Sequence, residues 1–321
     1  MEQVAEAQFK KKMKSTKKVL LTALLCTIFT IGMAQEENEQ DQGSVIQTLT
    51  PSKLIGKGQF DLKWFNNLYT QTRAADGSGN VTRNLDRETF FTSTLEAYTG
   101  VSENRRVNVG LILEFRSNVV GDRSAFDVFK FDGEAGTARS GLTSIAPSVK
   151  FVPFASVNNF SVQSSFFIPL VDSEFENGVF FDQKGFTWQN RFFYDYTFPG
   201  NDFQLFAEIN SEFNFGKELL FVGDDSGTSA EGSFANNSLR LTPGVFFSYF
   251  PSSKFTVLAL LQHSQLIDLG NDFEQDFTAA GGGVKYQLTD ELNVEALYTN
   301  FLRGNDTGLG ETFNIGLRAV F

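Results

Sequence analysis

Hydrophobic and polar residues alternate along most of the chain. Phe203, Leu205, Ala207, Ile209, Ser211 and Phe213 interleave with Gln204, Phe206, Glu208, Asn210, Glu212 and Asn214. Successive side chains on a strand point to opposite faces, so this run reads as a strand with one apolar and one polar face. The same alternation sets Val107, Val109, Leu111, Leu113 and Phe115 against Asn108, Gly110, Ile112, Glu114 and Arg116. It returns in 186–198, where Gln189, Arg191 and Asp195 lie between aromatic residues, and in the final segment up to Phe321. Beyond residue 34 no segment carries the 3.6-residue apolar stripe of an amphipathic helix. The pattern predicts an all-β protein.

Twelve segments follow it, at 60–72, 88–100, 105–117, 141–152, 159–170, 185–198, 202–214, 238–250, 254–265, 276–288, 291–302 and 310–321. Each reaches the roughly 9–11 residues with which a tilted strand crosses a bilayer. Short turns rich in breakers fall at 102–104, 156–158, 199–202, 251–254 and 289–291. They alternate with longer polar loops at 73–87, 118–140, 171–184, 215–237, 266–275 and 303–309. An even strand count with short turns at one end and long loops at the other predicts a transmembrane antiparallel up-and-down β-barrel, both termini periplasmic. The competing architecture is an exported soluble sandwich, which gives no reason to segregate the connections. Pro147 and Pro243 fall inside predicted strands, where a missing ladder donor leads us to expect bulges.

The first 34 residues read differently. Lys10, Lys11, Lys12, Lys14, Lys17 and Lys18 precede an apolar run from Val19 to Met33, followed by Ala34 and Gln35. This is the pattern of a signal peptide cleaved after Ala34, and the run is short for a membrane helix. Met13 would start a more ordinary leader than Met1. Leu25 stands where lipidation of Cys26 would need a small residue. Residues 35–59 begin with a polar, acidic stretch (Gln35 to Asp41) and are expected to be a periplasmic segment, disordered or plug-like.

Composition narrows the function classes. The chain holds 37 phenylalanines among 321 residues, far more than its Trp and Tyr, and a lipid-facing surface accounts for the excess. Its net charge of −11 argues against a nucleic-acid partner. Losing residues 1–34 removes six lysines and two glutamates, which leaves −15 and no cysteine. A span in such a chain must be a closed barrel, because only helices and closed barrels satisfy their backbone in lipid.

The last residues, with Phe313, Ile315, Leu317, Ala319 and Phe321 at every second position, resemble the terminal strand of bacterial outer-membrane β-barrels. That resemblance implies recognition by the barrel assembly machinery. The Ala34-Gln35 junction, with Leu54 to Gln59 and Trp64 to Tyr69, resembles exported barrels of Bacteroidota-type, Gram-negative bacteria described as transporters or porin-like proteins. Outer-membrane lipid and lipopolysaccharide are then the surrounding partners.

If the apolar rows face lipid, the alternate rows line the lumen. They bring Lys63, Arg116, Lys150, Arg191, Arg240, Lys285 and Arg318 together with Asp61, Glu96, Glu114, Asp195, Glu208, Glu212 and Glu295. Near-balanced charges of this kind make either a constriction selecting small polar or ionic solutes or a plug of paired side chains in a non-conducting scaffold. In the scaffold alternative the extracellular loops bind lipopolysaccharide, polysaccharide or a partner protein. Inner-row Phe167, Phe193, Phe206 and Phe246 would narrow the bore. The single His263 is expected on the outer row, facing away from Ser264, so no nucleophile–base pair is expected and the chain is read as no enzyme, with no cofactor. Asp268, Asp272 and Glu274, and Asp224 with Asp225, are weak calcium candidates whose spacing is not that of an EF-hand. A solvated acidic loop explains them as well.

Overall fold

A computed structural model describes residues 51–121, 123–176, 178–216, 220–222, 229–231, 237–270 and 273–321. Its main strands are β1 (Phe60–Ala75), β2 (Val81–Gly100), β3 (Val107–Val119), β4 (Ala138–Phe151), β5 (Phe160–Pro169) and β6 (Thr187–Thr197). They continue as β7 (Phe203–Asn214), β8 (Ser238–Ser252), β9 (Phe255–Asp268), β10 (Gln275–Gln287), β11 (Leu292–Asn305) and β12 (Glu311–Val320). Each is antiparallel to the next, and β12 pairs with β1 from Asp61↔Val320 to Thr70↔Glu311, closing a twelve-stranded barrel. At the seam Phe60 N donates to Phe321 O (2.7 Å), Phe321 N donates to Phe60 O (3.0 Å), and the two rings stack at 5.9 Å. Closure leaves no unpaired edge, which a lipid surface could not satisfy.

Followed round the ring from pair to pair, Asp61 leads back to β1 near Ala75, at the other end of the same strand. A stagger of about fifteen residues round a closed sheet requires steeply tilted strands.

The alternation sorts the faces as in a bilayer-spanning barrel. Trp64, Leu95, Leu111, Val245, Phe247, Leu261 and Ile315 are exposed on the outside, while Asn108, Ser148, Gln163, Ser165, Gln204 and Thr256 are buried inside. Polarity is reversed relative to a soluble barrel. Gly110, on the inner row of β3, makes room for a neighbour: a Cβ there would lie 2.4 Å from the Tyr98 ring. Tyr98 thereby crosses β3 and its hydroxyl hydrogen-bonds Ser148 on β4 at 2.7 Å.

Several expectations are corrected. Residues 73–87 are mostly strand, because β1 and β2 continue to a turn at 76–80 that Asp76 caps by accepting from the backbone N–H of Ser78 and Asn80 (2.9 Å each). Above an apolar belt a hairpin needs no apolar row, so Arg73, Arg83 and Arg87 hid it. Neither Pro147 nor Pro243 makes a bulge. Register is kept from Ile145↔Ile168 to Ser148↔Ser165, and from Leu241↔Gln265 to Gly244↔Gln262. The ladder skips the pairs at the missing N–H, and the irregularity in β4 lies instead opposite Glu114 and Phe115. The long loops are also more than solvated tethers. Loop 120–137 folds back over the outer wall, so that outward-row Phe91 is covered rather than lipid-facing, and loop 170–186 packs against inward-pointing residues.

Candidate functional site

The lumen is a cavity of about 360 Å³ lined by inner rows from most of the strands. Its charges are paired. The Arg318 guanidinium grips Asp61 through two bonds of 2.8 and 2.7 Å. Lys63 lies 3.8 Å from Asp61 and 3.4 Å from Glu96. Arg191 lies 3.0 Å from Glu208 and 3.7 Å from Glu96. Since β2 and β6 are not neighbours, the Glu96–Arg191 contact is a chord across the lumen, and Asp61, Lys63, Glu96, Arg191 and Glu208 form one chain of alternating charge. Lys285 and Glu295 pair at 2.9 Å, and Arg240 and Glu212 at 3.7 Å.

The wall beside this ladder is aromatic. Phe193 stacks on Phe206 at 5.9 Å, and Phe206 meets Phe246 at 5.5 Å. Cations sit on this shelf, with Arg191 5.0 Å and Lys150 5.3 Å from the Phe193 ring centre. Phe167 lines the same cavity.

Both ends are narrowed by chain outside the strands. At the short-turn end the segment 51–59 crosses the mouth. Lys150 donates to the Pro51 carbonyl, the buried Ser52 hydroxyl donates to Asp195, and Lys53 lies 3.7 Å from Asp195. Gly100 allows this path, because a Cβ there would overlap the Gly56 carbonyl at 1.9 Å. At the long-loop end, Arg116 reaches Asp182 of loop 170–186 at 3.1 Å and Glu114 at 3.8 Å. Asn118 donates to the carbonyls of Phe180 (2.8 Å) and Phe181 (2.9 Å).

The structure thus places Lys63, Glu96, Glu114, Arg116, Lys150, Arg191, Asp195, Glu208, Glu212, Arg240, Lys285, Glu295 and Arg318 on the inner face, with Asp61. Alternation could not reveal their loop partners Pro51, Ser52 and Asp182. The one available signal was the apolar run Val179-Phe180-Phe181 inside a loop expected to be polar.

His263 lies on the outer row, with Nδ1 2.9 Å from the Thr278 hydroxyl, while buried Ser264 faces inward beside Thr242 at 3.2 Å. On β12, Phe313 and Ile315 are exposed outside, as is Phe321 directly after it, with Leu317 and Ala319 half-buried on the same row. Asp268 accepts from Gly270 N at 2.8 Å. Asp272, Asp224 and Asp225 fall outside the described residues, as do the expected leader 1–34 and residues 35–50. Among the described residues no group of three His, Cys, Asp or Glu side chains could hold a metal.

No protein-family model and no curated protein sequence matches the chain. Solved structures do match its fold. An outer membrane channel of the COG4313 group from Pseudomonas putida F1 superposes with a TM-score of 0.62 at 9% identity, covering 84% of this chain and 98% of that one. The beta domain of the Bordetella autotransporter BrkA gives 0.53 at 14% identity, covering 82% and 99%. At these identities the likeness is one of fold, that of a closed antiparallel outer-membrane-type barrel.

Proposed function

We propose that the chain is an exported outer-membrane barrel of a Gram-negative bacterium that passes small polar or ionic solutes by diffusion, without catalytic or cofactor chemistry. The observation that carries this reading is the lumen itself, a cavity of about 360 Å³ in which a ladder of paired charges faces a largely aromatic and aliphatic wall. Opposed Lys, Arg and carboxylate side chains at a constriction can replace part of an ion's hydration and sort solutes by charge and size. The fold shared with a channel supports this, and the apolar outer rows fit lipid and lipopolysaccharide as surroundings. In the same reading β12, with its outward Phe313, Ile315 and terminal Phe321, is what the assembly machinery engages. A Bacteroidota-type origin rests on the Ala34-Gln35 junction and the 54–69 segment.

The test is conductance. The purified full chain, folded by the criterion of a heat-dependent shift in gel mobility, should give discrete ion currents in a planar bilayer. A silent, folded barrel overturns the channel. One observation favours the second reading, a non-conducting scaffold whose loops bind surface polysaccharide or a partner protein: the Glu96–Arg191 chord crosses the bore. A silent barrel whose loop deletions abolish such binding would support it.

A further inference from the structure

Loop 120–137 lies against the outside of the barrel. Its 3-10 helix, Ala125–Lys130, is seated by Val128, which is fully buried with Phe91, Val119 and Ala138. The outward Ser117 hydroxyl donates to the Val128 carbonyl at 2.6 Å. Three rings of the loop stay open to the surroundings: Phe126 is 74% exposed, and Phe129 and Phe131, which touch the outer wall on one side, are 47% and 50% exposed. Three large rings on one short loop are costly to leave in water, since Phe126 withholds most, and Phe129 and Phe131 about half, of the roughly 1.5–3 kcal/mol that burying such a side chain contributes.

This face continues the outer wall. Phe129 meets Phe91 edge-on at 5.1 Å, and Phe131 meets Phe115 of the outward β3 row at 5.5 Å. The loop's charges are gathered separately, two cations paired among three carboxylates. Arg123 binds Asp132 (2.8 Å), Asp127 (3.2 Å) and Glu134 (3.2 Å), and Lys130 binds Asp127 at 3.0 Å. The element therefore has an apolar side that is continuous with the barrel's lipid-facing belt and a polar side clamped by one arginine.

We propose that this face docks into the bilayer, with Phe126, Phe129 and Phe131 buried among the acyl chains at the long-loop rim. Continuity with the apolar rows of β2 and β3 argues for lipid over a soluble protein. Aromatic side chains are favoured at this depth, where the membrane changes from polar to apolar. The loop then acts as an external anchor that fixes the height and tilt of the β2–β4 wall. The inference rests on the membrane reading, and the experiment separates the two.

The chain has two tryptophans, Trp64 and Trp188, both exposed on the outer wall. In a full chain carrying Trp64→Phe and Trp188→Phe, the substitution Phe126→Trp supplies the sole indole, on the loop. A companion with Trp188→Phe alone keeps Trp64 as a reporter on the wall. Both are folded into phosphatidylcholine vesicles with and without bromine near the headgroup end of the acyl chains. The expected result is a blue-shifted emission from the Phe126→Trp variant, quenched by bromolipid at least as strongly as Trp64 and shielded from aqueous acrylamide. If Trp64 is quenched and the loop indole is not, the anchor is overturned and the membrane reading stands. If a folded barrel shows neither quenched, the membrane reading falls and the anchor with it. Phe129→Trp in the same background guards against a local effect of the Phe126 substitution, and packing against a second copy would leave both loop positions shielded yet unquenched, which also refutes the proposal.

Discussion

Asp195 holds the strap that crosses the short-turn mouth. Its carboxylate accepts from the Ser52 hydroxyl and lies 3.7 Å from the Lys53 ammonium. A hydrogen bond to a charged group is worth about 1.5–3 kcal/mol. Lys53 is about one-third exposed, so its share is screened to about 1 kcal/mol or less. Asp195→Asn keeps the shape and an oxygen acceptor but removes the charge, so the strap should lose about 1–2 kcal/mol of its hold. At 1.4 kcal/mol per tenfold, the released population rises about 5- to 30-fold. In planar bilayers this should appear as a higher open probability or a larger mean conductance than the parent. Lys150→Met, which removes the donor to the Pro51 carbonyl, should act in the same direction, and the double variant should exceed either. A folded Asp195→Asn barrel with unchanged currents refutes the idea that residues 51–59 restrict the lumen.

Further outcomes follow from other contacts. Glu96→Gln leaves Lys63 and Arg191 facing a neutral side chain, so the reversal potential in a salt gradient should move toward anion selectivity. Gly110→Val drives a branched side chain into the Tyr98 ring and the Ala97 carbonyl, and should cost about 1–3 kcal/mol, read as an earlier loss of heat-modifiable mobility. In loop 120–137, the Lys130 and Arg123 contacts hold the Asp127 carboxyl, and the Arg123 contact the Asp132 carboxyl, below the ordinary range, while Asp132 and Asp127 hold the Arg123 guanidinium above its own. A depressed acid pKa stabilises above the unfolded value and is lost as pH falls through the folded one. The clamp should therefore stay closed at neutral pH and loosen only well into the acid range. Amide exchange at 123–134 against pH measures this, and loosening near neutrality would contradict it.

Alternation was enough to read all twelve strands and the inner charged row, because a barrel wall repeats a two-residue period that each strand displays on its own. The limits of that signal show in particular residues. Arg73 to Arg87 lacked an apolar row, since strand above the belt is held by its ladder rather than by burial. Pro147 and Pro243 invited bulges, yet the neighbouring pairs keep the register. Phe91 carried the parity of a lipid-facing residue and is covered by a loop. Parity tells which way a side chain points, not what lies over it.

The one-dimensional pattern therefore determined a closed β-barrel with an apolar exterior and a charged lumen. What narrows that lumen was decided only in three dimensions. Glu96 and Arg191 stand 95 positions apart in the chain, Ser52 and Asp195 143, and Arg116 and Asp182 66. Their pairing depends on stagger, tilt and the paths of two segments outside the ladder, none of which leaves a periodic trace. Local alternation sets the direction of each side chain, but only barrel closure brings distant inward charges within ion-pair distance.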